Sequence, residues 1–399
     1  MKDLDFFNPP DPALVPDTSA YPAHTLGHRI LRAATRHHLP EEPCMVLIGL
    51  DDFRPLMETR PVESGFKEQP ENLVVGADRI RQYFYELSVA EGFPLLADLG
   101  NMIPGQSPED TQSALASVTS ELLEQGHFPV WIGGRLDFLR GIFQGFSGRG
   151  PTDVSVVSAR THFQTGPHAP AYSTVLRQLV EKDSTHLFNL SCLAFQSHWS
   201  EPEENALLEQ MRFEQLRLGA LRQHPERAEP LLRSSHLSAF SLSAVRWSDA
   251  DGNPMGGPNG LWAHELCQLC HYAGANDLLR VAFFCDYQAL PNDQGTGAAT
   301  LAQALWYLIE GFSQRCDDVP KINSRNFTRY TMALQGNHEL IFIKSQKSGR
   351  WWLEVTLPVA KGSKRERALL VPCTYDDYLQ ASSDELPDRW WRIHQKYLL

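Results

Sequence analysis

One short motif in the chain matches a pattern for covalent cofactor attachment. Cys267, Cys270 and His271 stand in the order Cys-x-x-Cys-His, the attachment pattern of c-type haem. The motif lies within a helical pattern of apolar residues, and no further motif places an axial methionine. A zinc site would require a second ligand pair, and the sequence contains no other Cys-x-x-Cys. We therefore interpret the match as a coincidence on a helix.

A second segment begins like a calcium-binding loop but does not continue as one. Asp249–Asn253 (DADGN) supplies oxygen ligands at the first positions, whereas position six is Pro254 instead of glycine and position twelve is Gly260 instead of glutamate. This pattern predicts a loop rich in turns. The Gly133-Gly134 pair follows an apolar run and indicates a tight turn that could open onto a ligand pocket. Nucleophile-elbow, Walker and dinucleotide-binding motifs are absent from the sequence.

The elements that would position such residues alternate along the chain. Cys44–Leu50 is continuously apolar, as in a strand buried on both faces. Further strands are predicted at Phe93–Leu99, Pro129–Ile132, Val154–Val157, Thr185–Leu193, Leu237–Leu242 and Leu279–Phe284. Helices are predicted at Thr25–His38, Ala77–Ser88, Thr111–Gln125, Asp137–Phe146, Ala171–Glu181, Glu203–Gln223, Asn259–Ala273 and Thr296–Gln314. This alternation predicts an α/β fold with a doubly wound, mainly parallel sheet, helices on both faces, and ligands at the strand ends.

The pattern changes after about Pro320. Glu339–Ser345 and Trp351–Leu357, separated by a short polar turn, predict an antiparallel β-hairpin in a C-terminal extension. We predict three parts: an N-terminal extension over 1–43, an α/β domain over 44–320, and a C-terminal extension over 321–399. Four of the nine tryptophans fall in the last 49 residues. They either fasten the extension to the sheet domain or form a binding surface, since large aromatics are enriched at interfaces.

Composition limits the classes of partner. The chain has 399 residues, with 36 basic and 48 acidic side chains and a formal charge of −12. Nucleic-acid binders need clustered positive charge, and the single basic run, Lys361–Arg367, includes a glutamate; we predict a solvated loop there and no nucleic-acid partner. No apolar stretch reaches the ~18–20 residues that span a bilayer, so no membrane insertion is expected. Seven cysteines without an export signal predict reduced thiols and a cytoplasmic location.

Several segments, in the right order, resemble the ureohydrolase superfamily of arginases, agmatinases and formimidoylglutamases. Ala97–Asn101 (ADLGN) is similar to the family's Asp-x-Gly-(Asp/Asn) strand end, and Pro129–Gly134 (PVWIGG) to its strand and Gly-Gly turn. Trp306–Phe312 and Val371–Tyr378 are similar to segments of a bacterial formimidoylglutamase branch. The resemblance covers roughly residues 44–399. It implies a three-layer αβα, arginase-like fold, hydrolysis of C–N bonds in linear amidines, and self-association into oligomers.

The resemblance also implies a centre of two manganese ions held by six ligands in three motifs. Gly133–Asp137 (GGRLD), Ser158–His162 (SARTH) and Phe240–Ser243 (FSLS) align with these motifs, and no ligand is retained in identity. The degenerate metal-site positions are Leu136, Ser158, Arg160, His162, Ser241 and Ser243. The acid that binds the substrate guanidinium in arginases falls near Cys285 or Asp286. One imidazole without carboxylate partners cannot hold two dications, so we expect no manganese cofactor.

Two interpretations follow, from different classes of function. In the first, the chain is a ureohydrolase-fold pseudoenzyme retained for binding or assembly, with a homo-oligomer or a protein partner expected. A displaced alignment, with ligands elsewhere, is a further alternative. Arg160 supports the first interpretation because it brings a permanent positive charge to the place of a metal cation, and Arg135 adds another nearby.

In the second interpretation, the chain is an amidine hydrolase whose pocket has been rebuilt around other groups. Its candidate residues are Ser158, Arg160, His162, Ser241 and Ser243, joined by Arg135, Asp137, His168, Asp286 and Asp293. Arg135 and Arg160 would suit a small anionic ligand, because a guanidinium matches carboxylate or phosphate geometry. Alternatively, both arginines form ion pairs with Asp137, Asp153 or another acid.

Overall fold

The computed structural model describes residues 6–33, 39–54, 75–166, 169, 171–183, 185–253, 255–289, 293–320, 325–334, 338–357 and 367–396. Two residues named above, His168 and Pro254, lie outside the described residues, as do positions 361–366 of the basic run. Within the described ranges, no helix is both long enough and apolar enough to cross a bilayer.

A ten-stranded sheet forms the centre of the described structure. Its strands are β1 (Phe7–Asn8), β2 (Leu31–Arg32), β3 (Met45–Leu50), β4 (Leu96–Met102), β5 (Phe128–Ile132), β6 (Thr152–Val157), β7 (Leu187–Leu193), β8 (Glu214–Leu216), β9 (Leu237–Ser241) and β10 (Val281–Cys285). Their order is β1-β4-β3-β5-β10-β9-β6-β7-β8, with β2 also paired to β4. The pairing is parallel throughout except for β1, which runs antiparallel to β4. The predicted mainly parallel α/β sheet is confirmed.

Helices cover both faces of this sheet. They are α1 (Leu26–Arg29), α2 (Gly76–Phe84), α3 (Pro108–Glu124), α4 (Leu139–Gln144), α5 (Ala171–Lys182), α6 (Pro202–Gln210), α7 (Leu218–Gln223), α8 (Ala228–Arg233), α9 (Ala263–Gly274) and α10 (Thr296–Ser313). Strand β3 shows how the layers form: Met45 and Leu47 pack into the core shared with α2, α9 and α10, whereas Val46 and Ile48 pack into the core shared with α3, α4 and α5. Two cores on one sheet produce the three-layer αβα arrangement.

A separate antiparallel sheet follows in the C-terminal part of the chain. Its strands, in spatial order, are β11 (Phe327–Leu334), β12 (His338–Ser345), β13 (Trp351–Leu357) and β14 (Arg367–Cys373), and α11 (Tyr375–Ser382) and α12 (Asp388–Lys396) come after them. The predicted hairpin is β12–β13, with strand bounds close to those expected. Because β11 and β14 pair on its two sides, the extension has a core of its own around Leu353, Phe342 and Trp351. The predicted division of the chain at residues 43 and 320 stays a prediction.

Two predicted helices are wrong in part. Among the described residues of the expected helix Thr25–His38, Leu26–Arg29 is helical, and Leu31 and Arg32 then pair as strand β2 with Ala97 and Asp98; residues 34–38 lie outside the described residues. Pairing with the edge of a large sheet outweighs the local helical pattern. The expected helix Glu203–Gln223 is divided into α6 and α7, because Arg212 adopts a left-handed φ of 59° and β8 then pairs with β7.

Candidate functional site

Four neighbouring strands, β5, β10, β9 and β6, end along one edge of the sheet, which we call the carboxyl edge. Because parallel strands share this direction, residues far apart in sequence meet there. The strand ends supply Arg135 and Asp137 after β5, Asp286 after β10, Ser241 at the end of β9, and Ser158 after β6. The resemblance predicted this convergence of the motif positions, and the sheet order explains it.

The Gly-Gly turn after β5 brings the first segment into place. Gly133 and Gly134 have φ values of +88° and +67°, and a Cβ on Gly133 would lie 2.4 Å from the backbone oxygen of Leu50. Only glycine fits such a turn without displacing the neighbouring strand. The chain then turns so that the backbone N–H of Leu136 donates to Oδ1 of Asp286 at 2.9 Å. The predicted tight turn is present, and it presents backbone instead of a side-chain ligand to the centre.

A continuous chain of buried hydrogen bonds, which we call the strand-end network, occupies the middle of this edge. Oγ of Ser241 donates to Oδ2 of Asp286 and lies 2.6 Å from Oγ of Ser243. Ser243 lies 3.1 Å from Oγ of Ser158, which lies 2.7 Å from Nε2 of His162. These five side chains are at most 5% exposed. Four of the predicted degenerate positions therefore contact one another directly.

The protons in the strand-end network can be assigned from donor and acceptor chemistry. Nδ1 of His162 lies 2.6 Å from the backbone oxygen of Tyr172, which can only accept, so Nδ1 carries the proton and Nε2 accepts from Ser158. Ser241 uses its proton on Asp286. The hydroxyl of Ser243 is therefore left to donate to Ser241 or to Ser158, and the oxygen of Ser241 is the nearer acceptor. Every hydroxyl proton in the network is used by another member.

Burial fixes the charge states around the strand-end network. Burial lowers the pKa of His162 to about 4, and the positive charge of Arg160 lowers it further, so the imidazole is neutral at pH 7. Burial raises the pKa of Asp286, although the hydrogen bonds from Ser241 and Leu136 oppose this shift. His162 and Asp286 both have left-handed backbone conformations, with φ values of 52° and 67°. His and Asp are among the side chains that tolerate this region best.

Arg135 and Asp137 form a buried ion pair beside the network. Nη2 of Arg135 lies 2.8 Å from Oδ2 of Asp137, and both side chains are 1% exposed. Nη1 of Arg135 also donates to the backbone oxygen of Phe53. Burial raises the pKa of Asp137 to about 6 against the opposing effect of Arg135, and the charge of Asp286 raises it further. For Arg135, the alternative of an ion pair with Asp137 is therefore the one observed.

Arg160 has a different environment from Arg135. Its guanidinium lies over the ring of Trp199, 4.0 Å from the ring centroid. Among the described residues it forms no ion pair, and burial lowers the pKa of the guanidinium. Arg160 is thus a largely desolvated cation at the carboxyl edge, supported by an indole face.

Other candidate residues lie apart from this centre. Asp153, one of the acids considered for the arginines, stands at the beginning of β6 and hence at the opposite edge of the sheet, because a strand separates its two ends by its full length. Asp293 bonds to the hydroxyl of Tyr287 at 2.8 Å. The CxxCH cysteines are buried on α9, as the helical interpretation expected.

Sequence reasoning missed two groups at this edge. The carbonyl of Tyr172, which orients His162, carries no side-chain signal at all. Glu204 accepts from the hydroxyl of Thr161 and from the backbone N–H of Phe163, and thereby holds the segment that carries His162. Glu204 lies in the first turn of α6, where a capping pattern after Pro202 is the one signal available.

The donors at the carboxyl edge do not suit a pair of divalent cations. Such ions require several anionic or imidazole ligands converging at about 2 Å. In the ranges described above, no group of three or more His, Cys, Asp or Glu side chains converges in this way. Asp137 is neutralised by Arg135, and Asp286 is bonded to Ser241 and Leu136. The other motif positions carry three hydroxyl groups, a guanidinium, the alkyl side chain of Leu136, and the imidazole of His162, whose two nitrogens already have partners.

Comparison with known proteins places the chain in a family. The model of the arginase family matches residues 55–283, more than half of the chain. The chain therefore belongs to the arginase family, and the resemblance to the ureohydrolase superfamily is confirmed. No curated protein matches it by sequence.

Solved structures show the same fold at low identity. A formiminoglutamase from Trypanosoma cruzi, solved with manganese, is 19% identical with a TM-score of 0.60, covering 70% of this chain and 96% of its own. A formimidoylglutamase from Bacillus subtilis is 16% identical with a TM-score of 0.57, covering 69% and 90%. An agmatine ureohydrolase from Thermoplasma volcanium is 16% identical with a TM-score of 0.57, covering 74% and 96%. At these identities the likeness concerns the fold.

Proposed function

We propose that this chain is a member of the arginase family that does not form a dinuclear manganese centre and serves a binding or assembly role. The observation that carries the proposal is the strand-end network, from Asp286 through three serines to His162. Its members satisfy one another, so no free set of donors is left for two cations. The Trypanosoma cruzi formiminoglutamase, by contrast, was solved with manganese.

Electrostatics supports the same proposal. A dinuclear centre needs net negative charge from its ligands, because each cation brings two positive charges. At this edge Arg135 offsets Asp137, and Arg160 adds a positive charge that forms no ion pair among the described residues and is offset only in part by Glu204. A cation placed here would be repelled by Arg160, and His162 could coordinate it only by giving up the hydrogen bond from Ser158. The residues thus favour an anionic over a cationic occupant.

The surface beside Arg160 supports a binding role. Trp199, Trp247 and Trp262 are 36%, 57% and 43% exposed, and Arg246 lies 3.3 Å from the ring centroid of Trp262. Gly257 connects Trp247 with Trp199, since its backbone oxygen accepts a hydrogen bond from the backbone N–H of Trp247 and its Cα lies next to the ring of Trp199. Tryptophan and arginine are the residues most enriched at binding hot spots. We propose that this surface binds an acidic segment of a protein partner or of a second copy of the chain.

Metal analysis and activity assays test the first part of the proposal. Protein purified with manganese in all buffers and then desalted should carry no stoichiometric manganese by elemental analysis. It should release no urea, ammonia or formamide from guanidino or formimino substrates. Two equivalents of manganese per chain would contradict the proposal whether or not activity is found. The same proposal includes a cytoplasmic location, which the seven free thiols support.

A second candidate function is an amidine hydrolase with a rebuilt, anion-binding pocket. It is favoured by the 2.7 Å contact between Ser158 and Nε2 of His162, a hydroxyl and a neutral imidazole in the geometry of a nucleophile and its base. Arg160 would hold the anionic group of the substrate. A serine-directed fluorophosphonate should then label wild type and Ser243→Ala but not Ser158→Ala. Equal labelling of all three proteins, or labelling of none, would exclude this candidate.

A further inference from the structure

A cavity of about 310 Å³ lies at the amino edge of the sheet, opposite the carboxyl edge. Its floor is formed by Asp153 of β6, Phe188 of β7 and His236, which precedes β9. Its roof is formed by Trp352 of β13 and Val371 of β14, both in the C-terminal sheet. The volume is within the range of small-molecule sites, which is about 300–1,000 Å³. The C-terminal sheet therefore encloses a separate pocket at this edge.

Most of the charged groups in the wall of this cavity already have partners. Arg233 and Arg350 both lie within ion-pair distance of Glu229, and Arg389 pairs with Glu214. The remaining acidic side chains, Asp277 and Asp318, accept hydrogen bonds from backbone N–H groups and serine hydroxyls. The guanidinium of Arg233 also lies over Trp352, 4.3 Å from the ring centroid. These groups serve to fasten the roof to the floor.

Asp153 is the exception. Its Oδ1 atom is buried and has no hydrogen-bond partner, and no described side chain forms an ion pair with it. The nearest cation, Lys396, donates instead to Oδ1 of Asn189 at 2.9 Å. Burial raises the pKa of Asp153 to about 7, although Lys396 opposes the shift. A backbone hydrogen bond from Asn189 also opposes the shift, but Oδ1 itself has no hydrogen-bond partner, so a cation in the cavity would be favoured beside this oxygen.

His236 provides a second polar side chain next to Asp153. The backbone N–H of Asp153 donates to Nδ1 of His236 at 3.0 Å, so the proton of the neutral imidazole is on Nε2. The apolar surface of the wall is provided by Phe188, Leu278, Val319, Leu369, Pro372 and Ile393. The cavity thus combines a mainly apolar wall and charged groups that pair with one another with two further polar groups, the Asp153 carboxylate and the His236 imidazole.

We propose that the amino-edge cavity binds a small, mainly apolar amine, with its ammonium group on the Asp153 carboxylate and its apolar body between Phe188 and Trp352. This site is independent of the carboxyl edge and of the function proposed above. A charge-assisted hydrogen bond to a buried carboxylate contributes about 1.5–3 kcal/mol, equivalent to roughly tenfold or more in affinity.

Ligand-observed saturation-transfer NMR on the full chain tests the proposal with three probes of one shape: benzylamine, benzyl alcohol and benzoate. Benzylamine should bind best. Asp153→Asn should weaken benzylamine roughly tenfold and leave benzyl alcohol unchanged, whereas Asp376→Asn, an exposed acid on α11, should change neither. Benzoate binding as well as benzylamine, equal benzylamine affinity for wild type and Asp153→Asn, or no binding of any probe would each overturn the proposal.

A second variant keeps the test valid if Asp153→Asn folds poorly. Leu370, a half-buried residue of the roof, can be enlarged by Leu370→Trp to fill the cavity without removing a buried contact. This variant should lose both benzylamine and benzyl alcohol. Benzylamine binding retained at full strength in Leu370→Trp would place the amine elsewhere and overturn the assignment.

Discussion

At the carboxyl edge of the central sheet, polar side chains from three strands bond to one another, whereas at the amino edge a cavity separates the strands from a second sheet. In open α/β folds ligands normally bind at the carboxyl edge. In this chain the strand-end network fills the central part of that edge. The cavity, with the Oδ1 atom of Asp153 lacking a hydrogen-bond partner on its wall, lies at the other end of the same strands.

The difference concerns how the chain satisfies buried polar groups. In the strand-end network each serine hydroxyl lies within 3.1 Å of another member, so the buried hydroxyl groups form hydrogen bonds with one another. At the amino edge, Arg350 and Arg389 of the C-terminal region pair with Glu229 and Glu214 of the sheet domain, and Asp153 takes no part in that pairing. If both proposals hold, a family fold has lost one binding site and gained another without altering its strand order. The following variants test each side of this comparison.

The largest effect is expected from Trp352→Ala at the roof of the amino-edge cavity. Trp352 is 4% exposed and lies over Arg233, so its loss should lower the free energy of unfolding by about 3–5 kcal/mol. Trp391→Ala, at a tryptophan that is 49% exposed, should change it by less than about 0.5 kcal/mol. Denaturant unfolding measures both. Similar small effects would mean that the C-terminal sheet is not firmly packed on the amino edge.

Asp153→Asn should change the pH dependence of stability. The pKa of Asp153 is about 7 in the fold and about 3.9 when unfolded, so the native state binds the proton more tightly and loses up to about 4 kcal/mol as pH rises from 4 to 7. The variant lacks this loss and should be the more stable protein above pH 7, with the difference shrinking towards pH 4. Unfolding curves at pH 4.5, 6 and 8 measure this. A difference independent of pH would show that Asp153 is already compensated.

His162→Gln, at the carboxyl edge, should change the pH dependence of stability on the acidic side instead. The pKa of His162 is about 4 in the fold and about 6.5 when unfolded, so wild type loses about 3 kcal/mol as pH falls from 6.5 to 4. The variant should lack this acid-dependent loss, whereas His264→Gln, an exposed histidine before the middle of α9, should retain it. If His162→Gln lost as much stability as wild type between pH 6.5 and 4, the result would contradict the neutral, buried imidazole on which the strand-end network depends.

The smallest effects distinguish the serines of the strand-end network. Ser241→Ala removes the hydroxyl donor of Asp286 and should cost about 1–3 kcal/mol, because a buried carboxylate loses a partner. Ser243→Ala removes a proton that only two other hydroxyls share, and should cost about 1 kcal/mol or less. Thermal or denaturant unfolding at pH 7 ranks the two. A larger cost for Ser243→Ala would reverse the proton assignment given above.

The sheet was predictable from sequence because its strands are continuously apolar and alternate with helices. Cys44–Leu50 and Leu237–Leu242 are examples in which observed and predicted bounds differ by one residue. The carboxyl-edge residues were predictable in identity, since the Gly-Gly turn marks one motif. Their mutual bonding was not, because hydroxyl partners depend on rotamers that no spacing encodes.

The amino-edge cavity could not be predicted. Its wall combines residues between Pro151 and Ile393, which become neighbours only when the second sheet docks. The same limit explains the error over residues 203–223, where a helical pattern was continuous but pairing of β8 with β7 determined the structure. Where a local sequence pattern and long-range strand pairing favour different structures, the strand pairing determines the secondary structure.

Segments from near the two ends of the chain lie at the two sides of the central sheet. At one side, β1 pairs with β4 near the N-terminus, with Phe7 opposite Met102. At the other side, β8 has three residues, and α12 lies beside it through the Arg389–Glu214 ion pair and a bond from Arg392 to the oxygen of Phe213. Uncovered strand edges are templates for pairing between molecules. Proteolytic removal of β1 would therefore expose the part of β4 that pairs with it, and removal of α12 would expose β8, so either cut should favour lateral association between molecules.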